Sequence, residues 1–152
     1  MMIWNEIDGN LIKLAKAGKF DLIAHGCNCK KNMGKGIAKQ IKAAFPLAYE
    51  ADKASHSKFG DISMCSDYPE CIVVNAYTQI FPGSNRHGKD SDFNRYEAIR
   101  SSMKIINQQF TGKHIGLPLI GGGLAGLRWN KVKTIIKEEL ISMNVTIVHF
   151  KK

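Results

Sequence analysis

Short apolar runs that favour strands alternate along the chain with stretches of helical spacing, and this alternation restricts the fold to a layered α/β architecture. Strands are predicted at residues 22–25, 72–77, 115–119 and 145–150, with a weaker one at 2–5 and a further candidate at 62–65. Tyr96, Ile99, Met103, Ile106 and Phe110 recur in steps of three and four, a spacing that predicts a helix with Arg95, Arg100, Lys104 and Gln108 facing solvent. Ile37, Ala38, Ile41, Ala44 and Phe45 predict a shorter helix stopped by Pro46. Val132, Ile135, Ile136, Glu139 and Leu140 predict another that ends near Asn144, and a further helix is expected over 47–56. A sheet so interleaved is covered on both faces, and its ligands bind at the carboxyl ends of the strands. The expectation is a three-layer α/β/α sandwich with a mixed, mostly parallel central sheet. It forms one domain over residues 1–152, because no repeat or linker divides the chain.

With 44% hydrophobic and 23% charged residues, the composition excludes a disordered chain and a collagen-like repeat. Apolar runs fall short of the roughly 18 residues that a membrane span needs. The start, Met1-Met2-Ile3-Trp4-Asn5-Glu6, lacks a basic segment followed by an apolar one, so an unexported, cytoplasmic protein with no membrane partner is expected, acting as a monomer. Twenty-two Lys and Arg against thirteen Asp and Glu leave a net charge of +9, which favours an anionic partner such as a nucleic acid or a phosphorylated small molecule. The basic residues are scattered in sequence, however, and a solvated surface is the plainer reading. Cys27, Cys29, Cys65 and Cys71 lack metal-site spacing, since C-x-C is tighter than a zinc knuckle, so reduced thiols and no metal are expected.

Three irregular segments fall at predicted strand ends: 26–35, 79–92 and 121–126. The last reads Gly121-Gly122-Gly123-Leu124-Ala125-Gly126 before a helix starting near Trp129. It satisfies G-x-G-x-x-G, but it comes late in the chain and no acidic residue follows at the spacing a dinucleotide fold requires. Its glycines let the backbone turn successive N–H groups toward one anion beside a helix N-terminus. Asn32-Met33-Gly34-Lys35-Gly36-Ile37-Ala38 repeats this logic after another strand. It is not a phosphate-binding Walker motif, because Cys29 and Gly36 stand where glycine and Ser or Thr are needed. Two such turns at one sheet edge would grip a diphosphate without a metal or any cofactor.

The stretch 22–45, LIAHGCNCKKNMGKGIAKQIKAAF, resembles the first ligand loop of macro domains, the ADP-ribose-binding α/β modules, with CNC in place of the common NAAN. Gly9-Asn10-Leu11, the loop near Pro82-Gly83, and residues 118–127 follow in the family's order. The pattern is most similar to the ADP-ribose 1''-phosphate phosphatases, through His25, Cys27, Asn28 and Cys29, the Gly9-Asn10 pair and the His87-Gly88 pair. The resemblance implies that Asn28 binds the distal ribose. It implies that Gly34, Lys35, Gly36, Ile37 and Ala38 hold one phosphate, Gly121 to Gly126 wrap the other, and Cys27 and Met33 adjoin the first loop. Asn10, flanked by Gly9 and Leu11, stands where an aspartate often receives the adenine amino group, and Phe150 where an aromatic ring stacks on adenine.

Hydrolysis of a terminal phosphate needs a group that moves a proton or attacks phosphorus. His25 is the leading candidate beside Asn28, because an ordinary imidazole titrates near 6.5. His87, next to Arg86 and Lys89, would balance phosphate charge from the middle loop. The related glutamate ADP-ribosyl hydrolases carry an aspartate at the position of Ala125, and that acid is absent. The expected activity is therefore metal-independent phosphate removal from ADP-ribose 1''-phosphate. The alternatives are removal of ADP-ribose from protein or nucleic acid, and non-catalytic reading of ADP-ribosylated macromolecules.

Overall fold

The computed structural model describes residues 3–84, 88–121 and 126–151. Six strands, β1 (Trp4–Gly9), β2 (Leu22–Asn28), β3 (Ile62–Cys65), β4 (Ile72–Gln79), β5 (His114–Leu117) and β6 (Asn144–Phe150), form one sheet in the order β1-β6-β5-β2-β4-β3. Every neighbouring pair is parallel except β3 with β4. The mixed, mostly parallel sheet is therefore as expected, and the parallel strands at its centre are nearly continuous apolar runs, as strands buried on both faces must be.

Helices cover both faces. On one, α1 (Leu11–Lys16), α2 (Gly36–Ala44) and α3 (Pro46–Ala54) bury Leu11, Ala15, Ile41 and Ala48 against Ile23, Val73 and Val148. On the other, α4 (Asp92–Gln109) and α5 (Trp129–Glu139) bury Ile99, Met103, Ile106, Val132 and Ile136 against Leu22, Ala24, Val74 and Ile147. Odd and even positions of β2 thus point to different layers, as the two-residue strand period requires. Pro46 both ends α2 and opens α3, where its missing N–H leaves no helical bond unmade.

Several expectations need correction. Arg95 does not face solvent: it is fully buried. The buried stripe of α4 also takes in Ala98 and Ser102, three and seven residues after Arg95, and these small side chains let the helix approach the sheet closely. The last helix stops at Glu139 rather than near Asn144, because Ser142 and Asn144 bond the 112–113 turn, where Gly112 N–H donates to Ser142 O and Asn144 N–H to Lys113 O. Helix α1 was not expected; its six residues are too few to show periodicity, and its start is marked by Asn10, whose Oδ1 accepts from Lys13 N–H.

Candidate ligand-binding site

The carboxyl ends of β2, β4, β5 and β6 open into one cavity of about 810 Å³. Gly26, Cys27 and Asn28 come from β2, Thr78 and Gln79 from β4, and Val148 and Phe150 from β6. Residues 34–38 and Gln40 form one wall, residues 118–121 the opposite one, and Pro82 and Gly83 close a side. The first glycine turn and the start of the second therefore share a cavity, the arrangement that diphosphate binding demands. Gly122, Gly123, Leu124, Ala125 and His87 lie outside the described residues.

The first wall includes the start of α2. Gly36 begins α2 at φ +59°, a left-handed conformation that L side chains resist, and Lys35 caps the helix without a side-chain hydrogen bond. The opening N–H groups of α2 are thus left for a ligand, and the helix end favours an anion. Gly26 is needed for another reason: a Cβ there would stand 2.7 Å from Thr78 Oγ1.

The loops are fixed from behind by side chains. Asn28 lines the cavity, yet its Nδ2 donates to Asn32 O at 2.8 Å and its Oδ1 accepts from Lys30 N–H at 2.9 Å, so the amide shapes the 28–32 turn. Gln79 Nε2 donates to Phe81 O at 2.7 Å. Asp90 accepts from Ile80 N–H (2.8 Å), Phe81 N–H (2.9 Å) and Arg95 Nη2 (2.6 Å), while Arg95 Nη1 donates to Gly83 O at 2.8 Å. Burial would raise the Asp90 carboxyl, but the Arg95 guanidinium and the two N–H groups outweigh it and hold it below the usual carboxylate range. This buried pair pins the Phe81–Gly83 turn against the cavity. The sequence carries no sign of this pair, because Asp90 and Arg95 meet only when the chain turns into α4.

His25 is fully buried and is not one of the residues lining the cavity. Its Nε2 pairs with Asn75 Oδ1 at 2.7 Å, and burial lowers its basicity to about 4. Asn75 Nδ2 donates to Ala48 O at 3.0 Å and Ser63 Oγ at 3.1 Å, and Ser63 Oγ meets Tyr77 OH, which donates to the buried Asp52 at 2.7 Å. His25 belongs to this internal network, and it reaches the cavity only through Cys27, whose Sγ is 3.5 Å from His25 Nε2. Cys27 is in the wall, but burial holds its thiol well above the ordinary value, so it is no ready nucleophile.

Other expected residues also stand apart. Met33 and Leu11 are buried in the core of the α1–α3 layer. Gly9 and Asn10 are outside the cavity wall, although Gly9 is in register with Phe150 on the neighbouring strand, and the Asn10 oxygen expected to meet adenine already caps α1. Gly126 borders a separate depression with Asp92, Phe93, Tyr96, Arg128 and Lys131. Phe150 lines the cavity with 59% of its surface exposed. Gly26, Gln40, Thr78, Gln79 and Val148 line the cavity without a role assigned from the sequence; the Thr78-Gln79 pair closing an apolar strand is the available signal. Among the described residues no three His, Cys, Asp or Glu side chains gather as a metal site, and no helix is long and apolar enough to cross a membrane.

The chain is 31% identical to an uncharacterized 17.5 kDa protein of Enterobacteria phage T4, covering 97% of this chain and 96% of that one. It is 21% identical to an ADP-ribose 1''-phosphate phosphatase of Saccharomyces cerevisiae, over 93% of this chain and 95% of the yeast protein. It is 28% identical to a DNA ADP-ribosyl glycohydrolase of Thermus aquaticus, over 88% of this chain but 37% of the larger protein. Among solved structures, Thermosipho africanus DarTG in complex with ADP-ribose matches with a TM-score of 0.75 at 19% identity, over 98% of this chain and 42% of that one, which shows a shared fold. The family model for the Macro domain matches residues 24–136, from β2 through most of α5. With that match and this cavity at its strand ends, the chain belongs to the macro domain family.

Proposed function

We propose that the cavity binds ADP-ribose and that the protein is a metal-independent hydrolase releasing phosphate from ADP-ribose 1''-phosphate. The observation that carries this reading is the convergence on one cavity of the open α2 N-terminus and the Gly121 turn. Together they offer main-chain donors to a pyrophosphate. Phe150 on β6 and Pro82-Gly83 beyond β4 flank the cavity from strands three spacings apart, about 14 Å, which suits a ligand with adenine at one end and a ribose at the other. The phosphatase and glycohydrolase relatives both have ADP-ribose in the names of their reactions, which supports the choice of ligand.

In the proposed reaction water attacks phosphorus, the bond to the anomeric oxygen breaks, and that oxygen takes a proton, giving ADP-ribose and inorganic phosphate. Lys35, exposed at the α2 N-terminus, adds positive charge beside the amides that hold the pyrophosphate. Asn28 holds the turn beneath the distal ribose, and His87 is the proposed proton-handling group of the middle loop. His25 supports the floor instead of moving a proton. Orientation in such a cradle contributes substantially to rate by itself.

A second reading, a non-catalytic reader of ADP-ribosylated macromolecules, is favoured by one observation: among the described residues the cavity wall holds no carboxylate and no imidazole. Calorimetric titration with ADP-ribose, ADP and AMP, followed by phosphate release from ADP-ribose 1''-phosphate with chelator present, separates the two. Chelator-resistant release supports the hydrolase. Tight ADP-ribose binding without release selects the reader, and loss of a label from ADP-ribosylated protein or DNA would instead select removal of the whole group. No heat with ADP-ribose would overturn them all.

A further inference from the structure

The net charge is not spread evenly over the folded surface. Residues 30–58, which run from the first loop through α2 and α3, hold seven lysines against Glu50 and Asp52, a balance of +5 out of the chain's +9. Asp52 is buried and bonded to Tyr77, so it presents no charge outward. Lys35, Lys39 and Lys42 are four and three residues apart, which places them on one stripe of α2 running away from the cavity mouth. All three are exposed. Lys42 Nζ lies 4.1 Å from the Tyr49 ring centre and Lys53 Nζ 4.8 Å from the same centre, so the stripe continues onto α3. Among the described residues, Lys53–Glu50 is the one ion pair that any of the seven makes.

The opposite layer carries cations of a different kind. Arg100 of α4 is paired with Glu138 and Glu139, and Lys133 of α5 with Glu6. Lys104, Lys131 and Lys137 of that layer make no ion pair among the described residues, so what sets α2–α3 apart is a row of exposed lysines with Glu50 as its one acidic partner.

We propose that the α2–α3 face is a docking surface for the phosphodiester backbone of a nucleic acid. Uncompensated lysines in a row are what a line of phosphates recruits, through release of its condensed counterions and with no need of base contacts. Protein interfaces, by contrast, are depleted in Lys and enriched in Arg and aromatic residues. Every basic residue of this face is Lys. The surface goes beyond the proposed activity and does not depend on it, although its stripe begins at Lys35 in the cavity wall.

The test is fluorescence anisotropy of a labelled single-stranded oligonucleotide, without ADP-ribose, against the full chain at increasing salt. Four lysine–phosphate contacts give a slope of log affinity on log salt of roughly −3, so that affinity falls roughly 50-fold between about 50 and 200 mM salt. Lys39→Gln with Lys42→Gln, both exposed and outside the cavity wall, should weaken binding roughly ten-fold at low salt and flatten the slope by about 1.4. Lys131→Gln with Lys137→Gln on α5, a change of equal charge, should leave affinity within about two-fold. Absence of salt-sensitive binding, equal losses in the two variants, or equally strong competition by polyglutamate or by anionic phospholipid vesicles would overturn the proposal. Melting temperature and ADP-ribose titration of each variant report on fold and cavity separately. A wild-type chain that binds the oligonucleotide but not ADP-ribose would sink the proposed function and leave this surface standing.

Discussion

At the mouth of the cavity the main chain offers polar groups of its own, at the start of α2 that no side chain caps and at the Gly36 and Gly121 turns. One layer below, polarity comes from side chains bonded to one another, running from Cys27 and His25 through Asn75 and Ser63 to Tyr77 and Asp52, where the second carboxylate oxygen, Oδ2, has no partner. The Asp90–Arg95 pair serves the same supporting purpose behind the middle loop. The mouth keeps donors open because a ligand completes them, whereas the buried groups must be paired inside the protein or cost desolvation.

The largest effect should come from the supporting side. Arg95→Met leaves Asp90 buried without its cation, and the expected cost is about 3–5 kcal/mol, a fall in melting temperature of roughly 10 °C. ADP-ribose affinity should fall with it, since the Phe81–Gly83 turn loses its anchor; a variant as stable as wild type would show that the pair is not structural. Next is pH. His25 stays neutral in the folded chain down to about 4, while an unfolded imidazole takes up a proton near 6.5. Its contribution is whole above 6.5 and is lost as pH falls toward 4, about 2 kcal/mol of it by about pH 5. Urea unfolding at pH 7 and pH 5 should show that loss in wild type and not in His25→Gln, and an identical pH dependence in both would remove the histidine from the floor. Turnover of His25→Gln at neutral pH should track its stability, not vanish.

On the side of the mouth the effects are smaller in stability and larger in binding. Gly36→Ala forces a Cβ into a left-handed conformation at a cost of about 1–2 kcal/mol, and it should weaken ADP-ribose binding more than AMP binding. Equal losses for the two ligands would take the pyrophosphate away from this turn. Phe150→Ala is the mildest change. The ring is largely exposed, so stability should move by less than about 0.5 kcal/mol. Adenine stacking should account for about 0.5–1.5 kcal/mol of ADP-ribose affinity, measured by calorimetry.

Much of the frame was legible in the sequence. The runs at 22–25, 72–77 and 145–150 lie inside β2, β4 and β6, and the helical spacing from Tyr96 to Ile106 lies inside α4. These features are local, and a few neighbouring residues suffice to fix them. Where the reading failed, the missing information was a distant partner. Arg95 was placed outward because a helical projection carries no knowledge of Asp90 and the 81–83 carbonyls. His25 is a candidate for moving a proton or attacking phosphorus by its ligand-loop neighbours in sequence, while its hydrogen-bond partner in space is Asn75 on the adjacent strand. Asn10 was assigned to a ligand, and its oxygen caps a helix too short to announce itself.

From its own order of residues the chain determined the strands, the long helix, the glycine turns and the excess of lysine, since periodicity, backbone freedom and charge are properties of short stretches. Tertiary structure alone decided which polar groups face the cavity, which are spent inside, and that the lysines of α2 and α3 form a single stripe. Those outcomes depend on which face of each element meets the sheet, and that is settled by packing between residues far apart in the chain.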